Sequence, residues 1–308
     1  MRIAYVILAH QLPEQLVRLV CALDAPGARF LIHINPSLGR CRAAGGASGW
    51  RSARTWCSCA ATSLLGGFGH VQAPLEGLDE LYRSETDFDY VVLLTGQDYP
   101  IKPIAEIETT LARSDGRSFM AVDRLPGGWV DGMDRIRYRH WRRIGRPRGW
   151  HLRLPIARRF PLGLEPWGGS SYWWLSRAAA DHVRAFRAEH PSYTRFFRHV
   201  DVPDEIFFHT ILMNSPLRDS VVSDELRLVD WTREALPHVF GAADLEVLRL
   251  SPKLVARKFD VTVREMQRSI RASPQIPRSP ARTSWDPAPG TSTPTTSGKA
   301  RSVTSARA

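Results

Sequence analysis

The sequence predicts an α/β fold: a mixed, mainly parallel sheet flanked by helices, in a single domain. Two observations predict this class. A strand, a helix and a second strand follow one another within the first 35 residues, and the same succession returns between residues 69 and 95. Such βαβ units place their strands parallel and join them by right-handed crossovers. A chain of 308 residues with 43% hydrophobic content can bury a core of the size this fold needs.

The first unit runs from residue 3 to residue 34. Ile3–Ala9 is an apolar run typical of a buried strand, and Phe30–Ile34 is a second one. Between them, Pro13 opens a helix that extends to about Leu23, because its leucines recur at helical spacing and proline is tolerated in a first turn.

The same reasoning places the remaining elements. Helices are predicted at 69–82, 104–112, 178–189 and 206–213, and strands at 90–95, 118–122, 171–177 and 226–229. The ordered part is expected to close at 254–260. We therefore predict one domain over residues 1–265.

Two segments do not fit this domain. Residues 38–64 show neither strand nor helix periodicity, which predicts an anomalous insertion or an error in the translated frame. Residues 266–308 are rich in Pro, Ser, Thr and Arg and poor in apolar residues, which predicts a disordered basic tail.

The net charge of +11 is concentrated in two regions. Six Lys/Arg against one acid lie in 271–308, and residues 135–159 hold ten Arg and no Asp or Glu. Aromatic residues interleave with the arginines of 135–159, a combination found at nucleic-acid sites. Because no nucleic-acid-binding fold surrounds it, we expect no nucleic acid. A solvated basic loop, or a loop that faces an acidic acceptor or a membrane surface, is favoured.

The sequence also bears on compartment. Ile3–Leu8 is too short for a signal-peptide core, and no apolar run approaches the length of a membrane span. Four cysteines, of which Cys57 and Cys59 lack zinc-site spacing, predict free thiols. We expect a cytoplasmic protein, with peripheral contact at the inner membrane face through residues 135–159.

Several common catalytic motifs are absent from the sequence: the serine-hydrolase elbow, the Walker loop, the metalloprotease helix motif and the dinucleotide glycine fingerprint. Residues 91–103 are the most informative stretch, since a buried strand ends at Gly96 and Gln97, Asp98 and Tyr99 follow. In an open α/β sheet, ligands bind beyond the carboxyl ends of the strands. The turn predicts either a polar ligand site or a structural turn.

Two charged residues are candidates for chemistry. Glu205 follows Asp204 before a helix, so it is either a general base whose pKa the neighbouring acid raises or a surface helix-capping acid. Lys258 lies between Arg257 and Phe259, so it either binds phosphate or pairs with Asp260.

One Asp-x-Asp sequence, Asp87-Phe88-Asp89, matches the metal motif of nucleotide-sugar transferases. It precedes the strand at 90–95 and would lie at the wrong end of the sheet for a ligand site. We interpret it as a solvated turn.

In combination, nine short segments resemble glycosyltransferase family 14. This family contains the core 2/I-branching β-1,6-N-acetylglucosaminyltransferases and the peptide O-xylosyltransferases, and the chain would be a soluble, bacterial-type member. The segments keep the family's order from residue 3 to about 260: Ile3–His10 with Pro13–Leu16, Leu31–Ile34, Gly66–Ala73, Leu94–Lys102, Trp173–Arg177, Pro203–Glu205 with Thr210–Pro216, Asp230-Trp231, Gly241–Leu245 and Ala256–Asp260.

The resemblance implies a GT-A-like fold and an inverting transferase. Such an enzyme moves N-acetylglucosamine or xylose from a UDP-sugar to a hydroxyl of a glycan, peptide or lipid. It implies no cofactor and no metal ion, with the UDP-sugar as co-substrate.

The resemblance also assigns residues. Glu205 matches the catalytic base and Lys258 a diphosphate-binding lysine, whose basic partner would be Arg233 or His238. The other matches are His10 and Asn35 toward the donor, and Trp231, Asp98, Trp173 and Trp174 toward the acceptor.

Two positions depart from the family pattern. Asn35 stands where the family usually has Asp, and Leu65 where it usually has an aromatic residue. Both flank the anomalous segment 38–64. The alternative prediction is therefore a catalytically impaired or non-catalytic protein of the same fold that binds UDP-sugar or carbohydrate.

Overall fold

The computed structural model describes residues 1–34, 55–58, 67–125, 127, 132–143, 150–232 and 236–260; of 55–58, 142, 143 and 150 it describes the backbone alone. In the first half of the chain the elements are β1 (Ile3–Ala9), α1 (Pro13–Leu23), β2 (Arg29–Ile34), β3 (Thr55–Ser58), α2 (Gly69–Arg83), β4 (Tyr90–Thr95), β5 (Asp98–Pro100), α3 (Ile104–Ala112), β6 (Ser118–Met120) and β7 (Asp123–Arg124).

The second half begins with α4 (Gly132–Arg137), β8 (Arg139–Arg143), β9 (Trp150–Leu154), β10 (Trp167–Gly168), β11 (Trp173–Ser176), α5 (Arg177–Glu189) and α6 (Pro191–Phe197). It continues with α7 (Phe207–Met213), β12 (Val221–Val222), β13 (Arg227–Val229), α8 (Leu245–Leu250) and β14 (Val255–Arg257). Short 3-10 helices lie at Pro161–Gly163, Pro203–Glu205, Arg218–Ser220 and Ala242–Asp244.

The central sheet has seven strands in the order β12-β6-β11-β4-β1-β2-β3. β1 pairs in parallel with β2 and β4, and β3 pairs in parallel with β2. β11 is antiparallel to both of its neighbours, β4 and β6. The predicted class, a mixed and mainly parallel sheet flanked by helices, is confirmed.

The two faces of the sheet build two cores, because successive side chains of a strand point to opposite faces. Val6 of β1 belongs to a core that contains residues of α2, α5 and α7. Its neighbour Tyr5 belongs to the opposite core, with residues of α1 and α3. Both side chains are almost fully buried.

A second sheet has three strands in the order β13-β14-β5, and its strand β5 follows the carboxyl end of β4 in the chain. The backbone N–H of Phe259 donates to the carbonyl of Gln97 at 2.9 Å, which ties the residue after Lys258 to the turn after β4. The side-chain amide of Gln11 donates to that of Gln97 at 3.0 Å. The segments after β1, β4 and β14 therefore meet at one edge.

Two regions differ from the sequence expectation. A strand, β3, lies inside 38–64, where the sequence pattern predicted no regular element. This strand is stabilised by its pairing with β2, a long-range interaction that local sequence periodicity does not reveal. The Arg-rich stretch 135–159 was expected as a loop but contains an antiparallel hairpin, β8–β9. The rest of 38–64, the boundary at residue 265 and the tail 266–308 lie outside the described residues.

Among the residues that the structure describes, no helix is both long and apolar enough to cross a bilayer.

Candidate active site

Glu205 lies at the end of the 3-10 turn Pro203–Glu205, and α7 begins two residues later. Val202, just before the turn, has a left-handed backbone, with φ of 48°. The carbonyl of Glu205 accepts from the N–H of Gly169 at 2.9 Å. A Cβ at Gly169 would lie 1.9 Å from the carbonyl oxygen of Ala121, so glycine is required for this close approach.

The Glu205 carboxylate is partly buried and ion-paired. Its Oε2 lies 2.6 Å from Nη1 of Arg135, and each side chain is 28% exposed. Burial, followed by the nearby Asp204 charge, raises the pKa of Glu205, and Arg135 opposes that rise. The helix that follows has Ile206 at its N-cap position and, among the described residues, no side-chain capping hydrogen bond, which favours the general-base interpretation over the helix-capping one. A carboxylate with a raised pKa and remaining access to solvent has the properties of a general base.

Asp204 is adjacent in sequence but faces a different environment. It is 6% exposed, accepts a hydrogen bond from Ser171 Oγ at 2.6 Å, and its Oδ2 lies 3.8 Å from Nδ1 of His70. His70 is in the first turn of α2. Burial and Arg257 lower the pKa of His70, while Asp204 raises it. Of the two adjacent acids, Asp204 is thus buried and bonded to its neighbours, whereas Glu205 remains accessible.

Basic side chains lie near this acidic pair. His10 directly follows β1, and Lys258 directly follows β14. Burial lowers the pKa of His10, and the charges of Arg257, His70 and Lys258 add to that effect. These four residues share one electrostatic environment at the carboxyl edge of β1 and β4, where ligands of open α/β sheets bind.

The backbone of Lys258 is held by the segment that precedes α8. Its N–H donates to the carbonyl of His238 at 3.3 Å, and its own carbonyl accepts from Phe240 at 2.9 Å. The His238 ring contacts Asp244 through Nε2 at 3.0 Å. The structure therefore places the backbone of His238 beside that of Lys258, while the His238 ring contacts Asp244.

Arg257 is supported from behind by an aromatic ring. The guanidinium carbon of Arg257 lies 5.3 Å from the centroid of the Tyr172 ring, and that of Arg227 lies 3.6 Å from the same centroid. Arg227 is fully buried, and its Nε lies 3.2 Å from Oδ1 of Asp98. Removing one partner of such a buried ion pair is strongly destabilising. The Arg227–Asp98 pair therefore holds Arg227 in place against the Tyr172 ring.

Three predicted acceptor residues have core roles instead. Asp98 is fully buried and pairs with Arg227, so the turn after β4 anchors the small sheet rather than offering a carboxylate to a ligand. Trp173 and Trp174 are at most 1% exposed, because β11 is an internal strand whose two faces are both covered. These three residues are not carried into the site proposed below. Trp231, by contrast, is 62% exposed.

Two further predicted donor residues, Asn35 and Arg233, lie outside the described residues. The Asp-x-Asp turn lies at the opposite edge of the sheet from His10. Arg2, just before β1, forms ion pairs with Asp87 and Asp89. This placement agrees with a solvated turn remote from the site.

Sequence reasoning missed three contributors: Arg135, Arg257 and His70. Arg135 belongs to the Arg-rich stretch expected as a solvated loop, and only the tertiary fold brings it to Glu205. Arg158 of the same stretch is likewise not the solvated side chain that was expected, because it donates hydrogen bonds to the carbonyls of Ile136, Tyr138, Phe196 and His199. Arg257 could have been identified from the sequence, because it is adjacent to Lys258.

Comparison with known proteins gives a consistent family. The chain is 26% identical to rat Xylosyltransferase 1 over 236 residues, covering 70% of this chain and 27% of the relative. It is 27% identical to Xylosyltransferase oxt of Drosophila melanogaster over 182 residues, covering 56% and 20%. With rat Xylosyltransferase 2 it shares 25% over 302 residues, covering 86% and 32%. The chain thus spans about a fifth to a third of the length of these curated relatives.

Among solved structures, a mutant UDP-glucose pyrophosphorylase from Leishmania major aligns with a TM-score of 0.28 at 11% identity, covering 76% of this chain and 56% of that one. The model of the Core-2/I-Branching enzyme family matches residues 3–251. The order of segments expected from the sequence and this match agree, and the chain belongs to the Core-2/I-Branching enzyme family.

Proposed function

We propose that this chain is an inverting, metal-independent glycosyltransferase that moves xylose or N-acetylglucosamine from a UDP-sugar to a hydroxyl acceptor. Membership of the Core-2/I-Branching enzyme family supports the transferase class. The relatives named as xylosyltransferases support xylose as one donor sugar. A GT-A-like arrangement is part of the proposal.

The observation that carries the proposal is the environment of Glu205. Its carboxylate is partly buried, has a raised pKa and lies against Arg135. It shares one edge of the sheet with a group of cations, because its neighbour Asp204 contacts His70 and His70 interacts with Arg257. A base on one side and cations on the other are the two requirements of direct displacement at a sugar phosphate.

The proposed step is a single displacement. Glu205 takes the proton from the acceptor hydroxyl while that oxygen forms a bond to the anomeric carbon. The bond from this carbon to the diphosphate oxygen breaks, and UDP leaves with the electron pair. Because the acceptor oxygen attacks opposite the leaving group, the anomeric configuration inverts.

The leaving diphosphate would be neutralised by fixed cations. Lys258 and Arg257 supply full charges at the strand end, and His10 and His70 supply N–H donors beside them. Such preorganised donors need no reorganisation as charge develops on the leaving oxygen. This cluster supports metal independence, since it can do the work that a divalent ion does in other transferases.

For the acceptor, the proposal keeps Trp231. An indole that is 62% exposed offers a flat apolar face to a sugar ring or a peptide. Arg137, Arg139 and Arg159 of the Arg-rich stretch are exposed and would favour an acidic acceptor or an anionic membrane surface.

The alternative is a non-catalytic protein of the same fold that binds UDP-sugar or carbohydrate. Asn35, in place of the acid usual in the resembled family, favours it, because a weaker nucleotide contact would lower donor affinity. The proposal and a non-catalytic protein that binds UDP-sugar both predict that UDP binds, and they differ in turnover.

The experiment that tests the proposal pairs calorimetry with a donor panel. The purified chain is titrated with UDP, and release of UDP from UDP-xylose, UDP-N-acetylglucosamine and UDP-glucose is followed with and without simple glycan and peptide acceptors. UDP binding together with acceptor-dependent release from one of the first two donors is the expected result. Binding without turnover identifies the non-catalytic alternative that binds UDP-sugar, and no binding of UDP contradicts the proposal and leaves only a carbohydrate-binding protein.

A further inference from the structure

Three potential metal ligands converge at the hairpin β8–β9. His140 comes from β8, His151 from β9 and Asp201 from the turn before Pro203. One ligand atom from each residue lies within 4.8 Å of the other two. We propose that these residues bind one divalent transition-metal ion of the zinc class.

The hydrogen bonding of His140 fixes which of its nitrogens is the ligand. Its Nε2 lies 3.0 Å from the backbone carbonyl oxygen of Asp134. A carbonyl only accepts, so Nε2 carries the hydrogen and Nδ1 of the neutral ring presents a lone pair. Metal-binding histidines commonly donate their second N–H to a carbonyl in this way.

The two imidazoles meet nitrogen to nitrogen. Nδ1 of His140 lies 2.9 Å from Nε2 of His151, and the ring planes differ by 17° with centroids 5.1 Å apart. Nearly coplanar rings with facing nitrogens either share a proton or share an ion. Tetrahedral zinc with bonds of about 2.0–2.1 Å would separate the nitrogens by about 3.4 Å, which requires the rings to part by about 0.5 Å and to turn so that their lone pairs meet at the ion.

The ligand types select the class of ion. Two imidazoles favour zinc, copper or nickel over calcium or magnesium, which prefer oxygen ligands. The Asp201 carboxylate adds a negative charge. In the described part of the hairpin, Arg153 is ion-paired with Asp134 at 3.0 Å. His151 is exposed, so water can complete the coordination.

The ion would also brace the candidate base. The N–H of Asp201 donates to the carbonyl of Arg135 at 3.3 Å, and Arg135 pairs with Glu205. Asp201 lies four residues before Glu205. Binding an ion between the hairpin and Asp201 therefore limits the movement of Arg135. This consequence, unlike the site itself, rests on the proposed function.

The test measures metal binding without any assay of activity. The untagged full chain is stripped with EDTA, returned to metal-free buffer and titrated with zinc chloride alone by calorimetry. Bound zinc is then counted by elemental analysis, and the melting temperature is recorded with and without the ion. The variant is His151→Ala, because an exposed histidine can be removed with little effect on folding. His182→Ala, a histidine of α5, is the matched control.

We expect the wild-type chain and His182→Ala to bind one zinc ion per chain and to melt at a higher temperature with it. His151→Ala should lose at least tenfold in affinity and the zinc-dependent rise in melting temperature. Asp201→Asn should weaken binding in the same direction. Absence of stoichiometric zinc in the wild type, or unchanged binding by His151→Ala, means that the two histidines share a proton only and overturns the site. Because no turnover is measured, this result is independent of whether the chain transfers sugar.

Discussion

Nη1 of Arg135 lies 2.6 Å from Oε2 of Glu205, which joins the Arg-rich hairpin region to the one accessible carboxylate of the turn Pro203–Glu205. The pKa of Glu205 is the balance of two opposing effects. Burial and Asp204 raise it, and the Arg135 guanidinium lowers it. Arg135 therefore lowers the pH above which Glu205 is ionised and able to act as a base.

Replacing Arg135 with Gln should move the acid limb of the pH–rate profile to higher pH. Without the guanidinium, burial and Asp204 act unopposed, so the pKa of Glu205 rises further and the base ionises later. The measurement is the pH dependence of kcat/KM. Arg153→Gln is the matched control, since it removes an exposed arginine of the hairpin that pairs with Asp134 instead. An acid limb that stays in place in Arg135→Gln would show that Glu205 does not govern it.

Replacing Lys258 with Ala should weaken UDP binding by at least tenfold and change acceptor affinity little. The ammonium lies with Arg257, His10 and His70, and a charge contact to a phosphate contributes of the order of 1.5–3 kcal/mol. Calorimetry with UDP measures the effect. Lys253→Ala is the control, because Lys253 is also half-buried but pairs with Asp224 at 2.7 Å. Equal losses in the two variants would remove Lys258 from the donor site.

Transfer should persist in excess EDTA. The proposed cations replace a diphosphate-bound divalent ion, so chelation takes nothing away from the leaving group. The assay is run on the wild type and on His151→Ala, because an effect of EDTA that remains in the variant cannot come from the proposed zinc site. Loss of turnover in both, restored by Mn²⁺ or Mg²⁺, would contradict metal independence.

Acid should destabilise the fold between pH 6.5 and 4 through His209. This side chain of α7 is fully buried, and burial lowers its pKa to about 4. The unfolded chain takes up a proton near pH 6.5 and the folded chain does not, so stability present above that pH falls as the pH drops. For a shift of this size the loss is about 3 kcal/mol.

The free energy of urea unfolding measured across this pH range tests that expectation. His209→Gln should flatten the dependence, although other buried histidines keep part of it. NMR of the His209 ring across the same pH range measures its pKa directly in the wild-type chain. A His209 that takes up its proton near pH 6.5 in the folded protein would contradict the account.

The sequence predicted the elements whose patterns are local. Ile3–Ala9 alternates between two cores, the leucines of α1 recur at helical spacing, and Tyr90–Thr95 is apolar throughout, so each could be recognised alone. β3 could not, because its reason to be a strand is its pairing with β2. The antiparallel direction of β11 was equally unpredictable, since no local pattern fixes the direction in which a chain returns to a sheet.

Candidate site residues could be named from the sequence where a single residue carried the signal, and their roles stay predictions. Glu205 and Lys258 were identified from charge in an unusual setting, and the structure places their neighbourhoods at one edge. Asp98 was misassigned because a buried partner, Arg227, lies 129 residues away in the sequence. Arg135 was missed for the same reason, since its partner lies 70 residues away. Long-range ion pairs leave no trace in a local pattern.

The most direct test of the central claim is the rate of sugar transfer by Glu205→Gln beside its affinity for UDP. Removing a general base should lower kcat by about 10²–10⁴, while UDP binding measured by calorimetry stays within about twofold of the wild type. Asp89→Asn, a change at the opposite edge of the sheet, should leave both values near the wild type. Full transfer activity in Glu205→Gln would contradict the assignment of Glu205 as the base and, with it, the mechanism proposed for this site.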